Sequence, residues 1–251
     1  MKRSCTHFYY IVPKMRLLYF LMLLTTFSAC TPIYYIPNAH AVPLITNKGE
    51  GDLSLSAAAD GAHFQSSYGI TNCIAAFTNI QRVPSREWPR NRRISTNSYE
   101  MGFGVFSGQR QFSVWELYAI GGQGSIHNEL AANSGFFGIP SLGGALNMEF
   151  WRYGFQFNYG LKNKNLEFAC SNRFFLMTYY NISGDLNFDN VNQVDFMKIN
   201  NRHFYYELGF TLKYGFQNFK VFIQTVASRN ISDPDLYRLR SNGMIGVSYQ
   251  L

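Results

Sequence analysis

Three side chains that can carry protons stand at alternate positions late in the chain: His203, Tyr205 and Glu207. A His–carboxylate pair on one face of an element orients a general base, so His203 and Glu207 are candidates for hydrolytic chemistry. No serine nucleophile or second acid can be placed beside them from spacing. The plainer assignment is that Glu207 neutralises Lys213, Arg152 or Arg173 inside an enclosed polar interior. On that assignment the chain has no catalytic set. His40, His63 and His127 are scattered singly, without the spacing of metal ligands. Neither a metal nor another cofactor is expected.

The densest run of charge is Arg82, Arg86, Arg90, Arg92 and Arg93 in RVPSREWPRNRR. Guanidinium groups bind phosphates in a bidentate fashion, so Arg86, Arg90, Arg92 and Arg93 are candidates for an anionic partner such as lipopolysaccharide. The alternative is a solvated external loop. Trp88 within it suits a membrane interface. Gly102-Phe103-Gly104 and Gly121-Gly122-Gln123-Gly124 match neither glycine motif of nucleotide-binding loops.

The element that must position these groups is clearest at His203–Phe216. Phe204, Tyr206, Leu208, Phe210, Leu212, Tyr214 and Phe216 alternate with His203, Tyr205, Glu207, Gly209, Thr211, Lys213 and Gly215. Period-2 alternation means a strand, and this one is longer than soluble sandwiches usually hold. About 10 residues tilted near 45° cross a bilayer. The segment therefore reads as a transmembrane strand with an apolar outer face and a polar inner one.

Composition agrees. Of 251 residues, 17% are aromatic and 15% charged, against roughly 25% charged on average. No apolar run reaches 18 residues, so a helical membrane protein is not expected. A mean hydropathy of −0.14 fits a barrel whose inward residues offset its outward ones.

Residues 1–29 read as a targeting segment: basic Lys2, Arg3, Lys14 and Arg16, the apolar run Leu17–Leu24, then Ser28 and Ala29. Thr26-Phe27-Ser28-Ala29-Cys30 resembles a bacterial lipobox, with Phe27 in place of the usual Leu. This resemblance implies lipidation at Cys30. Cleavage there would leave 18 basic against 15 acidic residues, a net charge of +3. Bulk charge then gives no reason to expect nucleic acid. Cys73 and Cys170 lie in strand-like runs, and a disulfide between them is not favoured.

Thr31–Lys48, with three prolines and no periodicity, reads as a periplasmic linker, with a barrel plug as the alternative. The domain plan is a signal peptide over 1–29, a lipidated linker over 30–49 and a barrel over 50–251. Ten strands are expected at Asp52–Ala59, Ala62–Ile70, Cys73–Gln81, Asn97–Phe106, Gln111–Ile120, Asn147–Leu161, Leu166–Tyr180, His203–Phe216, Phe219–Ser228 and Ser241–Leu251, with eight as the alternative. The intervening loops include 82–96, 121–145, 181–202 and 229–240. After the Asp60-Gly61 turn, long and short connectors alternate strictly. That matches long external loops and short periplasmic turns.

Gly246-Val247-Ser248-Tyr249-Gln250-Leu251 resembles the C-terminal assembly signal of outer-membrane barrels, with Leu251 for the usual Phe. With the lipobox and the strand pattern, the chain is similar to small outer-membrane β-barrel lipoproteins. The resemblance implies insertion by the barrel assembly machinery through the last strand, and no particular activity.

The expected fold is thus all-β, an up-and-down antiparallel transmembrane barrel in the outer membrane, its lipid-anchored N-terminus on the periplasmic side. The leading function is a structural, accessory or loop-mediated binding role without catalysis. The alternatives are a narrow selective pore, a barrel hydrolase using His203 and Glu207, and a soluble periplasmic β-barrel lipoprotein.

Overall fold

Residues that alternate apolar and polar in sequence alternate outward and inward in space. A computed structural model describes residues 32–88, 92–110, 112–133, 142–216 and 218–251. In chain order the strands are β1 (Gly51–Ala58), β2 (Ala62–Gly69), β3 (Ile74–Trp88), β4 (Arg92–Arg110), β5 (Ser113–Asn133), β6 (Leu142–Lys162) and β7 (Leu166–Gly184). A two-residue hairpin, β8 (Asn187–Phe188) and β9 (Val191–Asn192), leads into helix α1 (Gln193–Ile199). The chain then returns through β10 (Arg202–Phe216), β11 (Phe219–Asn230) and β12 (Ser241–Gln250).

Ten strands, all but β8 and β9, pair antiparallel with their neighbours, and β1 pairs with β12 from Asp52↔Gln250 to Ala58↔Met244. The sheet is therefore a closed barrel without a free edge, of the expected strand number. One end carries the short turns β2–β3, β4–β5, β6–β7 and β10–β11. The other carries the three-residue β1–β2 and β3–β4 connections together with the longer ones of β5–β6, β7–β10 and β11–β12, so the expected long connector at β3–β4 is replaced by strand.

The outer face is apolar in a band. On β6, Trp151, Tyr153, Phe155, Phe157, Tyr159 and Leu161 are all exposed, as are Tyr99, Met101, Phe103 and Val105 on β4. Towards the long-connector end the outward residues turn polar at one level, where Asn97 pairs with Ser125 and Ser125 with Glu149. The stretch Trp151–Leu161 matches the roughly 9–11 residues a tilted strand needs to cross hydrocarbon. Aromatic residues mark both borders, with Tyr99 and Trp151 above, and Trp115, Tyr159 and Phe216 below.

Several strands run on past that band. β5 reaches Asn133 and β6 starts at Leu142, so most of the expected 121–145 loop is sheet. The glycines that suggested a loop serve close approach instead. Gly124 pairs with Phe150, and a Cβ on Gly124 would meet that ring at 2.5 Å. Gly102 stands in the same relation to Phe77, at 2.1 Å. The expected 82–96 loop is likewise mostly β3 and β4, with a bulge between Val83 and Arg86.

The 181–202 connector, expected as loop, contains α1. Asn192 caps it by accepting from the amides of Val194 (2.9 Å) and Asp195 (3.2 Å). Val194 and Met197 anchor it to the barrel core.

Of the two placements open for the stretch before β1, the burial of Pro32–Ile45 throughout fits the plug. It forms no regular secondary structure and runs through the lumen.

Candidate functional site: the plugged lumen

An extended segment with no sheet partner leaves its amides and carbonyls needing hydrogen bonds, because unpaired buried peptide groups are costly. The inward faces supply them. A carboxamide both donates and accepts, which suits it to a lone peptide unit. Asn128 receives the Ile33 amide at 3.3 Å and donates to the Ile33 carbonyl at 2.8 Å. Gln224 does the same for His40, with both bonds at 2.9 Å. Asn79 donates to the Ala39 carbonyl, Gln156 and Asn158 to that of Ala41, and Asn242 to that of Pro37.

These contacts give the segment a direction. At the long-connector end, the Tyr34 amide donates to the Tyr237 carbonyl at 3.0 Å, and the Leu239 amide to the Tyr35 carbonyl at 2.9 Å. At the short-turn end, Lys162 Nζ donates to the Leu44 carbonyl at 3.0 Å, and the Ile45 amide to Glu116 at 2.8 Å. The plug thus descends from one mouth to the other and turns into β1. Its Tyr35 ring packs on Phe175 and Tyr205 at centroid distances of 5.7 and 4.7 Å.

A clasp closes the lower mouth. The Thr46 amide and hydroxyl donate to Glu50 at 2.7 and 2.6 Å, and Lys162 Nζ lies 3.2 Å from the same carboxylate. Burial pushes the Glu50 carboxyl up, but the Thr46 hydrogen bonds and the Lys162 charge outweigh it and hold the group below its ordinary range.

The lumenal charges neutralise one another in two groups. Glu100 lies 3.0 Å from both Arg152 and Arg173, and Arg173 lies 3.4 Å from Glu207. Nearer the short turns, Lys213 pairs with Asp52 at 2.9 Å, and Lys220 with Glu167. Glu207 therefore takes Arg173, one of the partners expected from sequence.

Sequence spacing puts His203 beside Glu207, but the structure does not join them. His203 Nε2 bonds the Asn200 carbonyl at 2.7 Å and Nδ1 meets Asn230 at 3.1 Å, so the ring fastens β10 to its preceding loop. The histidine at Glu207 is His40, from the plug. Its Nε2 lies 3.2 Å from Glu207 Oε2 and its Nδ1 2.6 Å from Ser171 Oγ. The network is satisfied when Nε2–H donates to the carboxylate and Nδ1 accepts from the serine hydroxyl.

Serine, histidine and glutamate are the residue types of acyl-transfer triads. Here all three are at 0% exposure. Tyr35 Oη donates to Glu207 at 2.8 Å. The cavity beside His40 holds about 10 Å3, space for one water at most. The arrangement is a latch between plug and wall. Gly209 makes it possible, since a Cβ there would stand 2.4 Å from Ser171 Oγ and 2.8 Å from His40 Nδ1.

Of the arginine candidates, Arg86 lies in β3, and Arg92 and Arg93 in β4. Arg93 faces Glu129 at 3.8 Å. Arg90 and the lipidation candidate Cys30 lie outside the described residues. Cys73 and Cys170 are free thiols. No group of three metal-ligating side chains occurs among the described residues.

No family model matches the chain, and no curated protein matches it in sequence. Among solved structures, the outer membrane protease OmpT from Escherichia coli is similar at 8% identity and a TM-score of 0.47, over 80% of this chain and 93% of that one. LpxR from Salmonella typhimurium is similar at 10% identity and a TM-score of 0.35, over 81% and 99%. The NanC porin is similar at 12% identity and a TM-score of 0.30, over 80% and 99%. The barrel assignment rests on this chain's own strand pairing.

Proposed function

We propose that this protein is an outer-membrane barrel held shut by its own N-terminal segment, acting from its long-connector end rather than by conduction or lumenal catalysis. The observation that carries this reading is the continuous passage of Pro32–Ile45 through the lumen, hydrogen-bonded to the wall from Asn128 to Glu116. A pore needs that path empty, and a lumenal hydrolase needs room for substrate at Glu207. A soluble barrel would leave the aromatic outer band in water, which favours the bilayer. The closed β1–β12 seam is where we expect the C-terminal signal to engage the assembly machinery.

The plug's direction supports a second reading, in which the N-terminus lies on the outer side rather than the periplasmic one. Long connectors face outward in such barrels, and Pro32 sits at their end. On this reading a lipid on Cys30, two positions earlier in the sequence, would anchor in the outer leaflet. An epitope inserted between Thr31 and Pro32 tests this. Antibody should label it on intact cells; labelling only after permeabilisation would contradict the reading.

A further inference from the structure

The long-connector end bears a cleft of about 320 Å3 that the plugged lumen does not use. It lies between the β8–β9–α1 connector and the β11–β12 connector. Phe188 and Tyr237 form one wall, packed edge to face at 5.4 Å, and Phe196 and Leu236 line the interior. The floor is Tyr34, whose hydroxyl bonds Gln193. Asp189, Asp233 and Asp235 are the charged residues among its lining, and none of the lining residues is basic. Arg238, next in sequence to Tyr237, turns its guanidinium to the carbonyls of Ser228, Pro234 and Leu236. Asp233 spends one oxygen on the amides of Asp235 and Leu236. Asp189 and Asp235 remain exposed.

We propose that this cleft binds an organic cation, an ammonium or guanidinium group on an aromatic or aliphatic body. The volume is at the low end of small-molecule sites, whose usual make-up is an apolar lining with a few oriented polar groups. Aromatic walls hold the apolar body and attract the cation through their ring faces. The carboxylates supply the opposite charge, and they exclude anions of the same shape. Because Tyr34 is the floor, the ligand would rest on the outer tip of the plug.

The test is calorimetric titration of benzyltrimethylammonium into the full-length protein in phosphatidylcholine nanodiscs, with folding checked by the heat-modifiable gel shift. Saturable one-to-one binding is expected, with benzyl alcohol and benzoate at least tenfold weaker. Asp189→Asn combined with Asp235→Asn should weaken the cation at least tenfold. Val191→Lys, which puts an ammonium into the cleft from an exposed position, should abolish its binding. Benzyl alcohol binding as tightly as the cation would overturn the proposal, as would unchanged affinity in the folded variants. Absence of saturable heat with the folded native protein would overturn it too.

Discussion

His40, in a segment without regular secondary structure, places its Nε2 3.2 Å from the Glu207 carboxylate on the inward face of β10. The pair links a residue near the start of the described chain to one near its end. It ties the plug to the wall through a group that also holds Arg173 at 3.4 Å. A buried carboxylate with a guanidinium, an imidazole and the Tyr35 hydroxyl around it is fully compensated, and removing one member leaves the rest uncompensated.

Arg173→Ala should therefore be severe. Both Arg173 and its partners Glu100 and Glu207 are fully buried, so removing the cation they share should cost about 3–5 kcal/mol. Urea titration of the heat-modifiable band measures this. An unchanged midpoint would mean that the pairs contribute nothing to the folded barrel.

Gly209→Ala tests the latch without altering charge. The new Cβ would overlap Ser171 Oγ and the His40 ring, so the plug should loosen while the strands stay paired. Hydrogen exchange of the His40 amide should speed up, and exchange of the β10–β11 ladder should not. Gly121→Ala is the control, because nothing lies within 4 Å of a Cβ there.

Much of this barrel was legible in the sequence, and the reasons are local. Strict alternation at His203–Phe216 and Asn147–Leu161 predicts which side chain faces outward, since the strand period is 2. The continuation of β5 through Gly121–Gly124 was not legible. Glycine weakens a strand in isolation, yet here it makes room for Phe150 on the next strand, a relation only register reveals. The latch was hidden for a similar reason. His40 lies in an aperiodic stretch, and nothing in its neighbours places it 167 positions away, against Glu207. The plug's composition was the available signal, because Tyr34, Tyr35 and Ile36 are too apolar for a solvated tether.

The lower clasp should respond to acid. The Glu50 carboxyl is held below its ordinary value in the folded protein, so it is easier to ionise there than in the unfolded chain. Its stabilising contribution is complete above the unfolded value and is lost as pH falls through the folded one. Between neutral pH and the range below ordinary glutamate titration, native protein should lose more stability than Glu50→Gln. Parallel urea midpoints across that range would contradict the clasp.

The arginine run bears on an anionic partner separately. Arg93 and Glu129 are both about half exposed at 3.8 Å, so Arg93→Glu should change stability by no more than about 1 kcal/mol. If the run grips lipopolysaccharide phosphates, charge reversal at Arg92 and Arg93 should weaken binding, and the difference should shrink at high salt. Equal binding by both proteins would contradict a lipopolysaccharide contact at these arginines.

The central claim is that the barrel is shut by its own N-terminal segment. Planar-bilayer recording of the purified protein tests it most directly, comparing the native chain with one whose residues 32–45 are replaced by a short Gly/Ser linker. Both must first show the heat-modifiable shift of an inserted barrel. The account predicts silence from the native protein and discrete conductance steps from the replaced one. Steady steps from the native protein at the same voltage would contradict it.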